Sequence, residues 1–369
     1  MKVLVLTGVV WFFSSLVMNV SAQPWNADKA AKWYAKQPWL VGCNYIPSNA
    51  INELEMWQAE TFDAVQIEKE LSWAEGLGFN TLRVFLHDLL WQQDAKGFVK
   101  RMEVFLTICE KHHIRPMFVL FDSVWDPKPE LGKQREPKPG VHNSGWVQSP
   151  GAAALSDTQQ HARLKEYVVG VVSTFANDKR VLAWDIWNEP DNVNTDNYAD
   201  QPDKLELVQT LLPQAFAWAR LAKPSQPLTS GVWKVNSTDF KSFNTIETIQ
   251  LKSSDIISFH SYDDAARFEK TALLLKQFNR PMLCTEYLAR GYQSIFETIM
   301  PVGKRDKIAL YNWGFVVGKT QTNLPWDSWQ KPYVDGREPA VWHHEILQPD
   351  GTPYNQSEVD FIRGITRKK

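Results

Sequence analysis

Residues 181–190 read Val181-Leu182-Ala183-Trp184-Asp185-Ile186-Trp187-Asn188-Glu189-Pro190. The first half is a short apolar run of the kind that forms a buried strand. Proline lacks an N–H and disfavours helical backbone in the residue before it, so the strand is predicted to stop at Glu189. That leaves an amide and a carboxylate at the carboxyl end of a buried strand, the end at which a parallel α/β barrel carries its chemistry. Taken alone, the ten residues describe equally well a strand closing in a polar turn.

The flanking sequence decides between the two. Upstream, strands are predicted at Leu40–Tyr45, Thr81–Leu86 and Pro116–Phe121; downstream, at Pro227–Trp233, Ile256–Tyr262, Pro281–Tyr287 and Ile308–Val317. Apolar residues at helical spacing lie between them: Ile67, Leu71, Ala74 and Leu77; Phe98, Met102, Phe105 and Cys109; Leu164, Val168, Val171 and Phe175; Leu205, Val208, Leu212 and Ala215; Phe268, Ala272, Leu275 and Phe278. The segment before Ser254 and the stretch 295–305 read as shorter helices. Eight strands alternating with helices predict parallel βαβ units, and the eight-fold count favours a closed (β/α)8 TIM barrel in a single domain. Ile46–Phe62, with Trp57, reads as a long loop. So does Asp122–Ser156, with Trp125, His142 and Trp146, and loops this long inside a domain are usually functional or disordered. The tail beyond Pro325, with Trp326, Trp329, Tyr333 and Trp342, is expected to supply the last loop and helix.

Composition fits this plan. The 369 residues carry a formal charge of -2, which gives no electrostatic reason to expect nucleic acid or an anionic membrane as a partner. The 17 tryptophans suit a site that stacks flat ligands as well as a core. Residues 1–22 resemble a secretory signal peptide, with Lys2, an apolar run from Val3 to Met18, and Val20-Ser21-Ala22 before Gln23. Residues 23–369 then form the catalytic domain of a secreted or periplasmic protein, monomeric and free of the membrane after cleavage. Cys43, Cys109 and Cys284 fit no metal spacing and read as buried thiols.

On this plan the strand ends present Arg83, Asn188, Glu189, His260, Tyr262, Glu286 and Trp313. Two glutamates across a barrel suit glycosidic bond cleavage, where one acid protonates the leaving oxygen and a second carboxylate attacks or activates water. The segment Leu182–Asp191 resembles the signature of glycoside hydrolase family 5, the cellulase-like family, or of a close relative in clan A of the (β/α)8 retaining glycoside hydrolases. Arg83, the His260-Ser261-Tyr262 pattern, Glu286 and Trp313 fall on the strands that this resemblance requires.

The resemblance implies that Glu189 is the acid/base and Glu286 the nucleophile. It further implies that Asn188 holds the sugar 2-hydroxyl and Arg83 keeps Glu286 ionised. Tyr262 would bond Glu286, His260 would flank the acid/base, and Trp313 would floor the sugar. It implies a polysaccharide or oligosaccharide substrate, with a β-1,4-glycanase acting on glucan, mannan or xylan first, and no metal or organic cofactor. An exo-β-glycosidase or transglycosylase is the alternative within the clan, and a non-catalytic carbohydrate-binding barrel the alternative from another class. One departure is that His87 lies just past strand 2 while strand 3 ends in Phe121-Asp122, which leaves subfamily and substrate open. Gly314–Thr320 is one residue short of a phosphate loop, no Gly-x-Ser-x-Gly elbow occurs, and His343-His344-Glu345 is set aside as a metal cluster because adjacent side chains point apart in regular structure.

Overall fold

Side-chain alternation in the second strand shows how the sequence builds the barrel. Leu82 and Val84 point outward into the main apolar cluster beneath the helices. Thr81, Arg83 and Phe85 take the other face: Thr81 bonds Tyr311 across the barrel at 3.0 Å, and Phe85 joins Val119 and Trp146. The interior is therefore partly polar, and Thr81 and Arg83 find their partners within it.

The computed structural model describes residues 23–193, 196–235 and 242–367. The signal-peptide reading of residues 1–22 lies outside the described residues. The strands are β1 Val41–Asn44, β2 Thr81–Phe85, β3 Arg115–Asp122, β4 Ala183–Asn188, β5 Leu228–Thr229, β6 Ile257–His260, β7 Met282–Tyr287 and β8 Ala309–Asn312. They form one parallel sheet in the order β5-β4-β3-β2-β1-β8-β7-β6. The seam between β5 and β6 closes through a bridge from Val232 to Phe259 and main-chain bonds from Val232 to Ser258 (3.2 Å) and from His260 to Val232 (2.9 Å). The sheet is thus a (β/α)8 barrel, as the alternation predicts.

Helices 64–76, 88–111, 161–174, 204–221, 245–253, 265–275, 296–306 and 356–366 surround the sheet. The predicted apolar helix positions are buried, except Phe278, which is half-buried, and Leu205, which is 43% exposed in the first turn of its helix. The three cysteines are free and buried. No helix among the described residues is long and apolar enough to cross a membrane.

Several local expectations need correction. The segment before β1, where no element is predicted, contains a helix at Ala27–Tyr34 capped by Asn26, and its Ala30, Trp33 and Tyr34 pack under the amino end of the barrel with Leu182, Ile256 and Leu283. The loop 46–62 contains a short helix, Glu53–Trp57, whose Trp57 is fully buried and donates its Nε1–H to the Phe85 carbonyl at 2.9 Å. Strands β5, β6 and β8 end sooner than their apolar runs, so Tyr262 and Trp313 stand just beyond strand ends. His87 caps helix 88–111, accepting from Leu89 N at Nδ1 while Nε2 meets the Gln148 carbonyl at 3.0 Å. It is spent on structure.

Candidate active site

Arg83 on β2 is completely buried and ties four strands together. Its Nη1 donates to Glu286 Oε1 at 2.7 Å on β7 and to Asn44 Oδ1 at 2.9 Å on β1. Its Nη2 donates to Asn188 Oδ1 at 2.7 Å, and its Nε to Asp185 Oδ2 at 3.0 Å, both on β4. A buried guanidinium needs such partners, because an unpaired charge in this setting is costly. The Asn188 amide is fixed in orientation, since its Nδ2 donates to Asp122 Oδ1 at 2.9 Å while its oxygen faces Arg83.

Glu189 follows β4 with φ +43°, an uncommon backbone state for a residue with a Cβ and one that collects at functional sites. The turn aims its carboxyl at His260, whose Nδ1 lies 2.8 Å from Oε1, and Asn192 Nδ2 donates to Oε2 at 2.6 Å. Glu286 accepts from Tyr262 Oη at 2.7 Å on Oε2, and His260 Nδ1 lies 3.5 Å from that same oxygen. One carboxylate oxygen from each glutamate and a His260 nitrogen all lie within 4.8 Å of one another. These three side chains are the only group among the described residues spaced to hold a metal ion, but they already bond one another, and the Arg83 cation sits on Glu286.

Burial dominates the electrostatics. It raises Glu189 to about 7, against the opposing pull of Asn192 and Arg83; the like charge that adds is Asp191. Glu286 is also raised by burial, with Glu189 adding, while His260, Arg83 and Tyr262 pull it back. Of the two, only Glu286 accepts directly from a guanidinium, and Arg83 favours its charged form. Burial lowers His260 to about 4, so its ring is neutral at pH 7. Its Nε2 is sealed and has no partner among the described residues, so the proton shared between Nδ1 and Glu189 meets no competing bond from them on the other side of the ring. Asp122 is raised to about 7 by burial, although Asn188 and Trp146 both donate to it.

Above this network lies a cavity of about 300 Å³ lined by Asp122, Asn188, Glu189, Tyr262, Glu286 and Trp313, with Trp125, Trp146, Trp233, Trp326, His142 and His344 on its walls. The predicted Asn188, Glu189, Tyr262, Glu286 and Trp313 therefore meet in one place. Arg83 and His260 do not line the cavity; they bond the two glutamates, as the resemblance implies for them. Of the tail aromatics only Trp326 lines it; Trp329 stacks on Trp125 (5.3 Å, 12°) and Trp342 on Tyr354 (4.3 Å, 10°). Sequence reasoning missed Asn44, Asp185, Asn192 and His344. Asp185 had a signal, a charge inside an apolar strand; Asn44 closes β1 with no pattern to mark it, and Asn192 and His344 stand on loops.

Residues 140–257 match the model of glycosyl hydrolase family 10, a span that holds Asn188 and Glu189 but not Glu286. No protein of curated function matches the chain in sequence. Solved structures share the fold, among them the following three. A GH5_18 protein of Streptomyces cattleya in complex with Manβ1-4GlcNAc is 13% identical, with TM-score 0.61 over 89% of this chain and 80% of that one. The endo-1,4-β-mannanase of Rhizomucor miehei is 12% identical, with TM-score 0.57 over 90% and 95%. A glycoside hydrolase family 5 mannosidase of the same organism, in complex with mannosyl-fructose, is 14% identical, with TM-score 0.53 over 89% and 92%. Residues 140–257 thus resemble one glycosyl hydrolase family, and the chain shares the (β/α)8 barrel of solved glycoside hydrolases.

Proposed function

We propose that the protein is a retaining β-glycosidase in which Glu286 is the nucleophile and Glu189 the acid/base. The observation that carries this is the close pair of buried carboxyls at the carboxyl end of the barrel, with oxygens within 4.8 Å and unequal donors. Retaining enzymes hold their carboxyl groups roughly 5–5.5 Å apart, whereas inverting ones leave about 6.5–9.5 Å for a water. Glu286 attacks the anomeric carbon while Glu189 protonates the leaving oxygen, and the glycosidic C–O bond breaks. Glu189, now a carboxylate, takes a proton from water, whose oxygen displaces Glu286 and releases the sugar with its β configuration kept. Asn188, oriented by Arg83 and Asp122, presents an amide next to the reacting centre, and Trp313 offers an aromatic face to the ring.

The substrate is a β-linked polysaccharide or oligosaccharide, with mannan first among mannan, glucan and xylan because the similar structures include a mannanase and a mannosidase. A second reading, an exo-acting β-glycosidase, draws support from the cavity, whose volume is at the small end of the roughly 300–1,000 Å³ of ligand pockets. The apolar run within residues 1–22 supports export to the periplasm or the medium. Purified protein on a panel of mannan, glucan and xylan, with products sized and the first-formed anomer read by NMR, tests the proposal. Monomeric product from the chain end marks exo action, a first-formed α-anomer refutes retention, and no hydrolysis leaves the non-catalytic sugar-binding barrel.

A further inference from the structure

Two histidines outside the carboxyl network, His142 and His344, line the cavity beside Tyr262. They are 2% and 1% exposed, their ring centroids lie 5.4 Å apart, and both pack on Trp326. In each, Nδ1 meets a main-chain carbonyl, that of Leu324 at 2.7 Å for His142 and that of Leu288 for His344. A carbonyl oxygen only accepts, so Nδ1 carries the hydrogen. Burial brings His142 down to about 4 and His344 well below the ordinary imidazole value, His343 and His142 adding to the latter, so both rings are neutral at pH 7. Each Nε2 is then a bare lone pair. Neither has a protein partner among the described residues, and neither is among the polar atoms sealed from the cavity. The neighbouring His343 differs, since its Nε2 is sealed and its ring does not line the cavity.

The rest of the wall repeats the sign. Three carboxyls line the cavity and, among the described residues, no lysine or arginine does. We propose that His142 and His344 determine specificity: their Nε2 atoms accept hydrogen bonds from the hydroxyls of a neutral sugar, and the cavity rejects sugars carrying a carboxylate. An anionic group would face lone pairs and carboxyls, with no lysine or arginine on the cavity wall to receive it and Arg83 already bonded to Glu286 beneath. The inference rests on the sugar-site reading above and deepens it to a substrate class.

The test reads binding, not turnover. Glu286→Ala protein at pH 7 is titrated calorimetrically with mannotetraose, cellotetraose and xylotetraose, and with tetramannuronate, which differs from mannotetraose by a carboxylate at each C6. At least one neutral tetrasaccharide binds, and tetramannuronate binds more than tenfold more weakly than that ligand. His142→Phe and His344→Phe keep a ring in the aromatic cluster but lose the acceptor, and each weakens the bound neutral ligand about three- to tenfold. His344→Gln, which returns an acceptor near the Nε2 position, recovers binding. In the histidine-labelled protein without these two changes, the unprotonated Nε2 resonances shift on adding the ligand, a readout independent of how the variants fold. Equal or tighter binding of tetramannuronate, unchanged binding in both Phe variants, unmoved resonances, or no binding of any neutral tetrasaccharide overturns the proposal. The catalytic reading fails separately, if Glu286→Ala still turns over.

Discussion

Replacing Glu189 by Gln removes a proton whose position the structure explains. Burial raises this carboxyl from 4.5 to about 7, so about half the molecules carry the proton at pH 7. A carboxyl with its ordinary value would be loaded in only ~0.3% of molecules at that pH, so burial enlarges the competent population roughly 150-fold. The rate should therefore fall as pH rises through about 7, tenfold per unit beyond it. The acidic limb should follow protonation of Glu286, and since the two interact, both limbs are apparent values of the pair. In Glu189→Gln the alkaline limb disappears and hydrolysis of a natural glycoside drops by about 10²- to 10⁴-fold, the usual worth of a positioned acid. A dinitrophenyl glycoside, whose leaving group needs no proton, should form the glycosyl-enzyme at nearly the original rate. Asp122 also sits near 7, so Asp122→Asn is measured beside it; the limb must survive that change. Equal losses on natural and activated substrates, or an alkaline limb that persists in Glu189→Gln, would refute the assignment.

Glu286→Ala should abolish turnover with the fold retained by circular dichroism, and a fluorinated mechanism-based sugar should label a peptide containing Glu286 in the unaltered protein. Arg83→Met leaves Asp185 and Glu286 buried without their cation; urea unfolding should show a loss of about 3–5 kcal/mol, and the acidic limb of any residual activity should move to higher pH. Glu345, raised to about 8 by burial, binds its proton more tightly folded than unfolded. Its contribution to stability is therefore full below about 4.5 and lost as pH rises through about 8, and Glu345→Gln should flatten that decline in thermal melts across pH 5–9.

The barrel was legible because its strands are apolar runs bounded by turn residues, a signal that survives without tertiary information. The Asn188-Glu189-Pro190 end was legible for the same reason, and Glu286 followed from the spacing of strands. The cavity wall was not. His343-His344-Glu345 was set aside on the rule that adjacent side chains diverge in regular structure, but the segment is irregular: Glu345 has φ +43°, and the two histidine rings lie 4.4 Å apart. Gly314 makes room for it, with φ +77° and a position where a Cβ would lie 2.7 Å from Glu345 N. Such a contact joins residues thirty-one apart through two loops, and no local pattern encodes it. The Ala27–Tyr34 helix was missed because its apolar face is short and its partner is the underside of a barrel assembled from the whole chain.

The seam between β5 and β6 sets where the barrel opens. Every other pair of neighbouring strands shares a ladder, whereas here Leu228–Thr229 is two residues long and the join relies on one bridge, a main-chain bond from Asp255 N to the Leu228 carbonyl at 2.7 Å, and side chains, with Thr229 Oγ1 bonded to the Ile256 carbonyl at 2.9 Å and to Ser258 Oγ at 2.7 Å. Amide exchange should be least protected at Val232 and His260 among the barrel positions, since local opening follows the least-bonded unit. His260 belongs to that seam through its own N–H, and its ring holds Glu189. Breathing of one stave is therefore felt first at the proton donor, so denaturant well below the unfolding midpoint should impair cleavage of poor leaving groups before it loosens the hold on sugar.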